Sequence, residues 1–123
     1  MILVDTSVWV DHLQRGNAAL AERLAQGQVL GHPFVLGELA LGNLKQRASI
    51  LQALQNLPAA NAATDTEVLN FITTHTLHGM GIGYVDAHLL AATKLTPGSQ
   101  LWTLDKRLLA AAGQLKLAFS PTH

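Results

Sequence analysis

The chain has 123 residues, enough for one domain with a core of its own. Hydrophobic residues make up 49% and charged residues only 13%, and eight acids balance eight Lys and Arg, so net charge alone does not direct the chain to a polyanion. No apolar run approaches the ~20 residues of a membrane span, no signal peptide is expected before the first strand, and without Cys there is neither disulfide nor thiolate metal site; a reducing cytoplasm is compatible with this.

Strand and helix signals alternate along the chain. Ile2 to Asp5 reads as a buried strand, and Thr6 or Ser7 is placed to cap a helix from Val8 to Gln14. Asn17 caps a second helix, Ala18 to Gln26, closed by Gly27. Gln28 to Gly31 is a short strand, and Pro33 suits the first turn of a helix running to about Leu41, broken at Gly42-Asn43. Leu44 to Leu54 is another helix, and Leu57 to Ala63 reads ambiguously, with a short edge strand as one option. Thr64-Asp65-Thr66-Glu67 is a capping box opening a helix to about His78. A Gly-rich loop over residues 79–83 leads to a helix from Tyr84 to Lys94 and a turn at Pro97-Gly98. A strand from Leu101 to Leu104, a helix from Lys106 to Ala112 and a strand from Lys116 to Phe119 complete the chain. This alternation, with apolar strands throughout, predicts an α/β domain over residues 1–123, a central parallel sheet flanked by helices on both faces.

Four of the eight acids sit among apolar neighbours. Asp5 ends the first strand, Glu38 interrupts the apolar helix after Pro33, Asp86 opens an apolar helix, and Asp105 ends the strand from Leu101. A carboxylate that loses hydration requires donors or a cation. Ligands of open α/β sheets collect at the carboxyl ends of the strands, where all four acids can meet. Singly, Asp105 suits a helix cap, and Asp86 suits the positive end of a helix dipole. Glu38 is harder to explain that way, because Phe34, Val35 and Leu41 put it on the stripe expected to be buried. One shared site accounts for four such placements more simply than four coincidences.

Met1-Ile2-Leu3-Val4-Asp5-Thr6-Ser7-Val8-Trp9 resembles the opening of PIN-domain ribonucleases, in particular the VapC toxins of bacterial toxin–antitoxin pairs. The resemblance continues through Glu38-Leu39-Ala40-Leu41-Gly42, Asp86-Ala87-His88-Leu89-Leu90-Ala91 and Thr103-Leu104-Asp105-Lys106-Arg107-Leu108. Each segment alone is a weak signal; four in this order across the whole chain are a specific one. The resemblance implies a PIN-like fold and puts the family's four catalytic acids at Asp5, Glu38, Asp86 and Asp105. Thr6, Ser7 and Thr103 match its hydroxyl-bearing helpers, although many relatives carry Asn where this chain has Ser7. It also implies a VapB-type antitoxin, a homodimer, and RNA products with a 5′-phosphate and a 3′-hydroxyl.

The chemistry fits these residue types. Phosphodiester hydrolysis requires neutralised phosphate charge, an activated water and a stabilised leaving oxygen, and one or two Mg2+ or Mn2+ ions held by carboxylates provide all three. Mg2+ is the expected cofactor, with Mn2+ able to substitute. Mg2+ retains several waters, so one or two direct carboxylates per ion suffice. Asp5 is expected as principal ligand with Asp86 beside it, and Glu38 and Asp105 as outer ligands or orienters of water. Lys45, Arg47, Lys94, Lys106 and Arg107 are candidates for an RNA-binding rim.

Other chemistries fit less well. His75 and His78 have the only helical pair spacing among six His, at a helix end where such side chains are common. The 79–83 loop follows no strand and is no nucleotide fingerprint, and Trp9 and Trp102 read as core. A phosphate-accepting receiver domain needs an acidic pair after the first strand and a middle-strand Asp, and both are missing. A non-catalytic interaction module, its acids serving as helix caps, is the alternative. The leucines and isoleucine between Phe34 and Leu57 exceed one core-facing stripe, which predicts an apolar surface for a partner or a second copy.

Overall fold

Three short parallel strands form the sheet of the computed structural model, which describes residues 1–121; Thr122 and His123 lie outside the described residues. The strands are β1 (Ile2–Val4), β2 (Val29–Leu30) and β3 (Gln100–Trp102), in the order β2-β1-β3. Ile2 pairs with Val29 and with Gln100, so β1 lies in the centre with both edges hydrogen-bonded. Its three residues are buried, as a parallel strand covered on both faces requires.

The helices are α1 (Thr6–Arg15), α2 (Ala18–Ala25), α3 (Pro33–Ala40), α4 (Arg47–Gln55), α5 (Asp65–Thr74), α6 (Tyr84–Leu95) and α7 (Lys106–Gln114). The crossover from β1 to β2 and that from β2 to β3 step in opposite directions across the sheet. Right-handed connections therefore put α1 and α6 on opposite faces. Leu3, Leu89, Leu90, Leu101 and Leu108 are fully buried between these layers. Each contributes roughly 1.5–3 kcal/mol of hydrophobic stabilisation. Trp9 and Trp102 belong to the same core, as read from the sequence.

The structure differs from the expected elements where the backbone turns left-handed. Gln46 has φ 53°, so the helix expected from Leu44 starts only at Arg47. Thr76 has φ 54°, and α5 stops at Thr74 instead of reaching His78. Lys116 has φ 59°, which reduces the expected last strand to one parallel bridge between Leu101 and Ala118. The ambiguous segment after Leu57 makes a similar single bridge, Gly31 to Ala59. Among the described residues no helix is long and apolar enough to cross a membrane.

Candidate active site

Asp5 occupies the position before α1, yet its side chain makes no capping bond. It turns instead toward β3. Its Oδ2 accepts hydrogen bonds from Ser7 Oγ and Thr103 Oγ1, both at 2.7 Å. Each hydroxyl is fixed from the other side by a backbone amide: Leu104 N–H donates to Ser7 Oγ, and Asp105 N–H to Thr103 Oγ1, both at 3.0 Å. Asp5 is 6% exposed, so this carboxylate is held nearly dry by two oriented hydroxyls. Neither Thr6 nor Ser7 is the cap expected from the sequence; both lie inside α1 and serve the acids.

The other acids are fixed with equal economy. Asp105 caps α7, its Oδ1 accepting from the amides of Arg107 and Leu108 at 2.9 and 3.0 Å. Asp86 Oδ2 accepts from Gly83 N–H at 3.0 Å and steadies the entry to α6. Glu38 Oε1 accepts from Thr6 Oγ1 at 2.6 Å, which ties α3 to α1. Glu38 does not lie on a buried stripe, contrary to expectation. Val35 and Leu39 point into the core, which leaves Glu38 exposed on the same side of α3 as Phe34 and Leu41.

The four acids share one field. Burial pushes the Asp86 carboxyl above its ordinary value, a bond from Gly83 works against that, and Asp5, Asp105 and Glu38 raise it further. Among the described residues no group of three or more His, Asp or Glu side chains is placed, as it stands, to hold a metal ion. The donor set nevertheless fits a hard cation that keeps part of its water. Each acid is anchored through one oxygen: Oδ2 of Asp5, Oε1 of Glu38, Oδ2 of Asp86 and Oδ1 of Asp105. The second oxygen of each takes part in no hydrogen bond among the described residues.

The basic residues divide. The side chain of Arg107 packs over Gly81, beside the loop leading to Asp86. Lys45 and Glu38 line one cavity of about 550 Å³ between α1, α3 and α4, walled by Val10, Leu44 and Ile50. Arg47 donates to the Ala40 carbonyl and closes α3. Lys106 is exposed in the first turn of α7. Lys94 stands ten residues along α6 from Tyr84, about 15 Å by helix rise, and lines a separate cavity with Glu67 and His75.

A family model of the PIN domain matches residues 2–114. The chain belongs to the PIN-domain family. It is 46% identical over 120 residues to Ribonuclease VapC32 from two strains of Mycobacterium tuberculosis, covering 98% of this chain and 97% of that protein. That identity groups it with VapC-type members. The crystal structure of FitAcB from Neisseria gonorrhoeae superposes with a TM-score of 0.66 at 21% identity, over 98% of each chain, and shares the fold.

The sequence reads His88 as packing or groove rim and does not single out the rings beside it. Phe34, Tyr84, His88 and Asp65 form a connected group across α3, α5 and α6. The pairs Phe34 and Glu38, and Tyr84 and His88, are each four apart on a helix, a spacing that was available. The sequence puts Phe34 on the stripe expected to be buried, and the structure leaves it exposed.

Proposed function

We propose that this PIN-domain chain is a metal-dependent endoribonuclease of the toxin–antitoxin class, acting in the cytoplasm on RNA and silenced by a VapB-type antitoxin. The observation that carries the reading is the arrangement of the four carboxylates, each anchored through one oxygen with the other left unbonded. A divalent ion, Mg2+ by preference and Mn2+ as substitute, would supply phosphate neutralisation and an activated water when bound. Asp5 and Asp86 are its principal ligands in this proposal, and Glu38 and Asp105 orient water.

The chain's own residues prepare that site. Ser7 and Thr103 donate their hydroxyl protons to Asp5 and hold it aimed. Thr6 does the same for Glu38. Lys45, which lines a cavity with Glu38, and Arg107, which packs over Gly81, suit the phosphates flanking the cut bond. The apolar-walled cavity beside Glu38 suits a hydrophobic antitoxin segment whose basic residue reaches the acids. Leu41, 91% exposed, and α4, which buries no residue fully, suit the antitoxin or a second copy.

The alternative, a non-catalytic module, draws support from the capping bonds of Asp86 and Asp105. It leaves the buried, non-capping Asp5 without a purpose. A brief pulse of expression followed by sequencing of RNA 5′ ends tests the proposal. New ends with the wild type and none with Asp5→Asn are expected; the same ends from both chains would contradict it.

A further inference from the structure

The chain has six Phe, Trp and Tyr residues. Trp9, Trp102 and Phe119 are buried and Phe71 is half-buried, which leaves Phe34 at 38% and Tyr84 at 45% exposure as the two open rings. Both stand in the first turn of a helix that carries an acid of the site: Phe34 four residues before Glu38 on α3, Tyr84 two before Asp86 on α6. The ring of buried His88 lies between them, its centroid 4.5 Å from Phe34 and 4.7 Å from Tyr84. His32 extends the row, 5.4 Å from Phe34. A ladder of rings thus bridges α3 and α6, and at its α3 end Phe34 shares the exposed side of the helix with Glu38.

The ladder is braced. Tyr84 donates its hydroxyl proton to Asp65 Oδ1 at 2.7 Å, and His88 Nε2 lies 3.0 Å from the same oxygen. The Phe34 amide donates to His32 Nδ1 at 3.0 Å. These bonds fix the rings while Phe34 and Tyr84 keep part of their surface in water. Rigid, exposed aromatics next to a phosphodiester-cutting site are what unpaired bases stack on.

Resting on the ribonuclease reading above, we infer that Phe34 and Tyr84, braced by His88, form a stacking platform for one unpaired base beside the bond that is cut. The platform reads no base identity, because every base presents a π-face. It requires that the nucleotide be unpaired.

The test uses single-stranded RNA whose cleavage site has been mapped with the wild type. Phe34→Leu and Tyr84→Leu each raise KM about tenfold, ~1.4 kcal/mol and within the contribution of one stacked base, while kcat stays within about twofold. Tyr84→Phe, which keeps the ring against His88 but loses the bond to Asp65, recovers most of the wild-type KM. An abasic nucleotide at one position flanking the cut raises the wild-type KM by a similar factor and gives the Leu variants no further loss. Independent, additive losses, or a fall in kcat at constant KM, would overturn the platform and make the ladder a structural brace. If the wild type cuts no RNA, the ribonuclease reading fails, and binding of unpaired RNA carrying 2-aminopurine still decides. Fluorescence quenching by the wild type, lost in both Leu variants, supports the platform. Absent quenching, or quenching kept in both variants, overturns it, as does an effect of the variants on antitoxin binding alone.

Discussion

Thr103 donates its hydroxyl proton to Asp5 across 98 residues of sequence, and the 2.7 Å bond joins the exits of the central strand and its neighbour. The same oxygen accepts the Asp105 amide, so one methyl-bearing hydroxyl sets two of the four acids relative to each other. Thr103→Val keeps the volume and removes both bonds. Stability should fall by about 1–3 kcal/mol, because the Asp105 amide loses its partner and the buried Asp5 oxygen keeps only Ser7 as donor. Turnover should fall with it, and Thr103→Ser should recover both. Urea denaturation and initial rates measure the two effects.

Asp86 gives a pH signature of unusual sign. Its folded-state carboxyl lies above the ordinary value of 3.8, chiefly through burial and then through the neighbouring acids. The folded chain therefore holds a proton that the unfolded chain releases. Stability should decline as pH rises from 3.8 through the raised value, the reverse of a salt-bridged acid. Asp86→Asn, which can still accept the Gly83 amide, should remove this decline and melt higher than wild type without metal. Added Mg2+ or Mn2+ should raise the wild-type melting temperature and move the variant less. Melting curves against pH and metal measure all of this.

His32 contributes the opposite slope. Burial, with His88 nearby, lowers its pKa from 6.5 to about 4. The ring accepts the Phe34 amide, and its Nε2 is buried without a partner. The unfolded chain takes up a proton that the folded chain refuses, so stability should drop as pH falls from 6.5 toward 4. The slope should approach about 1.4 kcal/mol per pH unit. His32→Asn retains a capping acceptor and should flatten that interval. Parallel wild-type and variant curves would show that the ring is not the titrating group.

Gly79 and Gly81 separate backbone strain from site geometry. Both have φ 78°, where a side chain costs roughly 1–2 kcal/mol. At Gly79 an added Cβ meets nothing within 4 Å, whereas at Gly81 it comes within 2.9 Å of Arg107 Cδ. Ala at either position should lower stability by a similar amount. Gly81→Ala should also displace Arg107 and raise KM for RNA several-fold, and Gly79→Ala should not. Equal KM values in the two variants would remove Arg107 from the RNA rim.

The parallel α/β layering was legible because Ile2-Leu3-Val4 and Leu101-Trp102 are uniformly apolar and short, a pattern that two-sided burial imposes. Element ends were less so. Gln46, Thr76 and Lys116 take left-handed backbone conformations that Gly or Asn would have signalled, and nothing local marks them. Among the site residues, Asp5 and its hydroxyl partners were legible as a set but not in their roles. That Ser7 and Thr103 meet on one carboxylate oxygen depends on strand register, which pairs Val4 with Trp102. The direction of Glu38 was misread because apolar neighbours at three and four residues do not say which side of a helix faces the core. Val35 and Leu39 decide that, and only contact with α1 and α4 selects them.

The central claim is tested most directly by incubating purified chain with single-stranded RNA in Mg2+ and in chelator, wild type beside Asp5→Asn, and determining the product ends. Cleavage by the wild type in Mg2+ alone, leaving 5′-phosphate and 3′-hydroxyl ends, with none from Asp5→Asn, is the predicted result. Cleavage that persists in chelator, survives Asp5→Asn or leaves cyclic phosphate ends would contradict it.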